Sequence, residues 1–118
     1  MLGIWFDAGT SYRPGARVEP QAIRQASRHL RTQYHPAYGT EPFRTQQVAD
    51  AGDVACNPCN MAEAVAHIHA TETDLLAHVG GLMSPGGDHT MVLPLLRTVH
   101  HHVGPVALVH FDAHLVNF

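Results

Sequence analysis

The sequence predicts an α/β fold built on a mostly parallel sheet, and three observations carry that expectation. Apolar runs at Leu2–Phe6 and Val106–Phe111 each end in turn-forming or acidic residues. Between them, longer segments repeat apolar residues every three or four positions. The two patterns alternate along the chain, as they do when crossover helices join parallel strands by right-handed connections.

Each element has its own justification. Leu2–Phe6 reads as a strand running into Asp7-Ala8-Gly9-Thr10, and Arg13-Pro14-Gly15-Ala16-Arg17 supplies turn chemistry after it. Pro20 suits a first helical turn, and Ile23, Ala26, Ser27 and Leu30 keep helical spacing until His35-Pro36 and Tyr38-Gly39 break it. Gln46–Ala49 is a weaker strand candidate, ending in the turn Asp50-Ala51-Gly52-Asp53. Asn60 then opens a helix with Glu63 three residues on, in the manner of a capping box. Its stripe of Ala64, Val65, Ile68, Leu75, Leu76 and Val79 runs to Gly80-Gly81. Leu82–Ser84 leaves room only for a brief strand before Pro85. Thr90–His102 is a further helix with Pro94 early in it, and Gly104-Pro105 separates it from the final strand, Val106–Phe111.

The bulk numbers fit one globular unit, taken as a single partial domain over 1–118. Apolar residues make up 45% and charged residues 14% of 118 positions. The net charge of −3, with seven scattered Lys and Arg residues, offers no basic face for a phosphate backbone, so no nucleic acid partner is expected. No apolar stretch is long enough for a bilayer, and the N-terminus lacks a basic region followed by an apolar core. A cytoplasmic protein without a membrane partner is the expectation.

Eleven histidines are the compositional outlier. His100, His101 and His102 fall at a helix end, where polar or positive groups suit the dipole. His67, His69 and His78 lack the i, i+4 spacing of zinc-binding helices and read as a solvated face. His89 differs, because it follows Gly86-Gly87-Asp88 at a strand-to-helix turn. Asp112 and His114 sit two residues apart beyond the last apolar run, so on a strand both would point to one face. Two imidazoles and a carboxylate at the carboxyl ends of neighbouring strands suit a borderline divalent metal. The plainer alternative has Asp112 ending the strand and His114 on the surface.

Cys56-Asn57-Pro58-Cys59 competes as a motif. A CxxC before a helix start can be redox-active or half of a zinc site, but no second Cys pair exists, and an incidental, reduced loop pair is the simpler reading. Serine elbows, P-loops and dinucleotide fingerprints are missing from the sequence.

Taken together, Gly86-Gly87-Asp88-His89-Thr90, Phe6-Asp7-Ala8-Gly9-Thr10-Ser11-Tyr12-Arg13-Pro14-Gly15-Ala16-Arg17 and Val109-His110-Phe111-Asp112-Ala113-His114 resemble the N-terminal portion of the ureohydrolase (arginase and agmatinase) family. Val48-Ala49-Asp50-Ala51-Gly52-Asp53-Val54 and the Arg13–Arg17 stretch favour the agmatinase branch. The likeness runs from Gly3 to His114. It implies a three-layer α/β/α, arginase-like fold that breaks off after its first metal-ligand strand. It also implies a binuclear Mn2+ centre hydrolysing a guanidinium group, with agmatine going to putrescine and urea, and commonly a homo-oligomer.

Carried over residue by residue, the resemblance makes His89 a ligand of one metal, Asp112 a bridging ligand and His114 a ligand of the other. Val116 stands where the family pattern continues with a carboxylate, and the remaining ligands and catalytic groups have no counterpart among these residues. The expectation is therefore weak single-metal binding, no turnover by this chain alone, and an apolar final strand left exposed. Three rivals stay open: hydrolysis of another guanidino compound such as guanidinobutyrate, a non-enzymatic metal-binding or interaction remnant, and a thiol redox protein.

Overall fold

A computed structural model describes residues 1–30 and 33–113. Its elements are β1 (Gly3–Ile4), α1 (Glu19–Ser27), α2 (Pro42–Thr45), β2 (Asp53–Val54), α3 (Met61–Leu76) and α4 (Val92–Val103). Short 3-10 turns at Ala16–Val18 and His89–Met91 lead into α1 and α4. β1 and β2 pair in parallel with Gly3 opposite Asp53 and Ile4 opposite Val54. On the other side of β1, the Leu2 amide donates to the Met83 carbonyl (2.9 Å) and the Ile4 amide to that of Pro85 (3.1 Å). The chain's first apolar run therefore lies between two later segments, as an α/β crossover order requires.

The core follows from that placement. Leu2, Ile4 and Phe6 from the first run, Val54 from β2, Ala64 and Ile68 from α3, and Met91 before α4 form one buried cluster. α3 starts where Asn60 accepts the Glu63 amide on its side chain (3.2 Å). The other half of the expected capping box differs, because the Glu63 carboxylate accepts from the Asn57 side-chain amide (2.9 Å). Glu72 lies outside the expected apolar stripe, yet it is buried on α3 and accepts the Ser84 hydroxyl (2.7 Å), holding the 83–85 segment against the helix. Burial pushes its carboxyl pKa up. His69 corrects the solvated-face reading: its Nδ1 lies 2.7 Å from the hydroxyl of buried Thr98, tying α3 to α4.

Three expected strands need correction. Gln46–Ala49 is not a strand; the α2 turn closes on Gln46, Val48 is exposed, and only the later Val54 reaches the core. The supposed turn at 50–53 instead feeds β2, because Arg24 on α1 binds Asp50, Asp53 and the Gly52 carbonyl at 2.6–2.9 Å. Leu82–Ser84 runs beside β1 without forming a regular ladder. Val106–Phe111, expected as a strand, pairs with no strand among the described residues, while the exposure expected for it in this chain is seen, with Val109 and Phe111 75% and 95% exposed. A run this apolar becomes a buried strand only when neighbours flank it, and here they do not. No helix among the described residues is long and apolar enough to cross a membrane.

Candidate metal centre

The turn that carries His89 is shaped by glycine and fixed by one carboxylate. Gly86 and Gly87 have φ of 93° and 79°, in the left-handed region. A Cβ on Gly86 would stand 2.5 Å from the Pro20 ring and 3.0 Å from the Ile4 carbonyl oxygen, so the two glycines let this turn press against the end of β1. Asp88 then binds on three sides. Its amide donates to the Phe6 carbonyl (3.0 Å), its Oδ1 accepts the Thr90 amide (2.8 Å), and its Oδ2 accepts the Gly9 amide (2.5 Å). The Thr90 bond is an N-cap for the turn that begins at His89.

The neighbouring loop is clamped in the same way by Asp7. Its buried carboxylate accepts from the Gly15 amide (2.6 Å) and the Arg17 Nε (2.6 Å), and an Arg17 terminal nitrogen lies 2.5 Å away. The Arg17 guanidinium is the largest of the influences holding the Asp7 carboxyl below the usual carboxylate range, against the opposing effect of burial. Two aspartates thus lock the 7–17 loop and the His89 turn to each other and to β1.

The chain returns from α4 to this rigid frame and brings Asp112 to His89. His89 Nδ1 lies 3.3 Å from Asp112 Oδ2, and His110 Nε2 lies 3.5 Å from the same oxygen. The His89 and His110 rings meet edge to face, with centroids 5.3 Å apart. One ligand atom from each of His89, His110 and Asp112 falls within 4.8 Å of the other two. Two imidazole nitrogens and one carboxylate oxygen are the donor set of a first-row divalent cation, so the residues fit a metal. His114, the third residue singled out in the sequence, lies outside the described residues. Sequence reasoning misses His110 because it sits inside a run that reads as buried strand. Its position two residues before Asp112 is the available signal.

The thiol motif gains no support. Cys56 is half-buried and its pKa is pushed up by that burial, the opposite of an activated thiol, while Cys59 is exposed and both are free.

Known proteins resemble this chain over nearly all of its length. The arginase family model matches residues 1–115. Guanidinobutyrase from Pseudomonas aeruginosa is 44% identical over 113 residues, covering 96% of this chain and 35% of that protein. A mitochondrial agmatinase from Gallus gallus is 41% identical over 113 residues, covering 96% of this chain and 33% of that one. Among solved structures, proclavaminate amidinohydrolase from Streptomyces clavuligerus superposes with a TM-score of 0.90 at 38% identity, covering 96% of this chain and 38% of its own. The chain thus spans about a third of the length of the curated relatives it matches. Its glycine-shaped His89 turn, its parallel β1–β2 pairing and the extent of these matches place the chain in the arginase family, with an arginase-like α/β fold.

Proposed function

We propose that this chain contributes the first part of a metal-dependent ureohydrolase that cleaves a guanidinium group, with agmatine as substrate and putrescine and urea as products. The convergence of His89 and Asp112, from turns separated by α4, is the observation that carries the reading. In it, His89, Asp112 and His114 are ligands of a two-manganese centre. When bound, the metals supply Lewis acidity and a water of lowered pKa for attack on the guanidinium carbon. The chain's own residues hold and orient: Asp88 fixes the backbone that presents His89, and Asp7 and Arg17 fix the loop beside it. The described residues offer a single carboxylate at the centre, too few for a binuclear manganese site, which needs several hard oxygen donors. The chain on its own therefore takes up one metal weakly and does not turn over.

A second substrate reading has a specific observation behind it, since the Pseudomonas aeruginosa relative is named a guanidinobutyrase. Guanidinobutyrate ends in a carboxylate where agmatine ends in an amine, so the two are separable by charge. The intact protein is proposed to be a cytoplasmic homo-oligomer acting on a small guanidino compound.

The test is urea release with manganese from agmatine and from 4-guanidinobutyrate, for the 118-residue chain and for a chimera joining it to the remaining length of the Pseudomonas aeruginosa relative. The expected result is activity in the chimera only. Loss of that activity on His89→Ala would support the metal assignment, whereas an unaffected His89→Ala chimera would overturn it.

A further inference from the structure

We propose that the cleft between the C-terminal halves of α3 and α4 binds a small organic cation, a protonated alkylamine whose ammonium meets Glu72 and whose hydrocarbon lies on the apolar walls. The cleft shares no residue with the His89 cluster, so the proposal stands whether or not that cluster holds a metal.

The space is of the right kind. Its volume is about 440 Å3, within the range of about 300–1,000 Å3 usual for small-molecule sites. Leu76 on α3, Leu82 on the segment that follows, and Leu95 and Val99 on α4 give it half-buried apolar walls. Gly80 and Gly81 complete the lining. Neither has the positive φ that would call for glycine, and a Cβ at either would meet nothing within 4 Å. What the pair does here is steric: without side chains it leaves the cleft open.

The charge selects a cation. Glu72 lines the cleft and is 2% exposed, and its Oε1 accepts the Ser84 hydroxyl (2.7 Å). Among the described residues no cation pairs with it, and burial pushes its carboxyl pKa up. Its second oxygen takes no hydrogen bond there, yet no buried side-chain oxygen lacks a partner, so that oxygen opens onto the cleft. A buried carboxylate whose one partner is neutral is stabilised by an arriving ammonium and not by a neutral or anionic group. The lining also includes the last residues of both helices, Leu76 and Val103, where the negative ends of the dipoles favour positive charge.

The experiment compares n-hexylamine, 1-hexanol and hexanoate on the 118-residue chain by 1H–15N NMR at about pH 8, where alkylamines are cationic and free imidazole is not. Hexylamine is expected to bind at least about tenfold tighter than hexanol, and hexanoate more weakly than either. The amide shifts should centre on 82–84 and 99–103. Glu72→Gln keeps the side chain's shape and an acceptor for Ser84, and should bring hexylamine down to the level of hexanol. Gly81→Leu should weaken both probes, with far-UV circular dichroism showing the helices intact. Equal binding of hexylamine and hexanol by the parent, or no binding of hexylamine, overturns the proposal. So does a preference for the amine that survives Glu72→Gln, or shifts centred on the exposed 108–111 run. The parent's choice between amine and alcohol decides the matter even where a variant loses its fold.

Discussion

The Gly86–Thr90 turn and the Val106–Ala113 segment both deliver groups to one cluster, yet they are held in opposite ways. The turn is determined by its backbone: two glycines with positive φ, a carboxylate bonded on two loops, and β1 beneath it. The later segment has no strand partner among the described residues and presents apolar side chains to solvent. One half of the site is built before any ligand arrives. The other half reaches the turn through the contacts of Asp112 and His110 with His89, and substitutions in the two regions should differ accordingly.

The largest effect is expected at the turn. Gly86→Ala puts a Cβ 2.5 Å from the Pro20 ring and forces a non-glycine residue to φ 93°. Strain of about 1–2 kcal/mol for the dihedral and a similar cost for the clash give a loss of about 3 kcal/mol, read as a lower urea midpoint. Asp88→Ala should follow at about 1–2 kcal/mol, the worth of an N-cap, with added loosening of the 7–17 loop. Asp112→Ala is the matched control in the other region. It should leave the midpoint within about 0.5 kcal/mol while abolishing manganese binding. Equal destabilisation by Asp88→Ala and Asp112→Ala would end the contrast between the regions.

A smaller effect belongs to acid. Arg24 is the main cause holding the Asp50 carboxyl down, at about 2 instead of 3.8. Because the folded form has the lower pKa, the stabilising interaction is complete above the unfolded value and is lost as pH falls through the folded one. The α1-to-β2 tie should therefore weaken between about pH 4 and pH 2, with Asp7 and Arg17 contributing in the same direction. Helix content followed through that range should decline, and Arg24→Gln should flatten the part of the decline that comes from Asp50.

These contrasts also explain what is legible in the sequence. Short-range chemistry is readable: Asn60 caps α3, Pro20 sits in the first turn of α1, and Gly86-Gly87 make the His89 turn. Placement that depends on distant partners is not. Val54 rather than Val48 becomes the strand residue, because Arg24, about thirty positions earlier in the chain, seizes Asp50, Asp53 and the Gly52 carbonyl. Buried Glu72 is invisible because its partner Ser84 lies beyond the helix. At the site, spacing brings out His89 and Asp112 but leaves out His110, since its place beside His89 and Asp112 shows only once the segment is folded against the turn.

The smallest stability effect, and the sharpest test of the second region, is expected at Phe111. Its ring is 95% exposed, so Phe111→Ser removes almost no buried surface and should move the unfolding midpoint by less than about 0.5 kcal/mol. Together with Val109 and Leu108, however, it forms a run of exposed apolar side chains, which favours association. Light scattering of the 118-residue chain should therefore fall in Phe111→Ser with no change in the denaturation curve. A large drop in stability would instead mean that the segment is packed in solution, and that the site is as preformed on the Asp112 side as it is around His89.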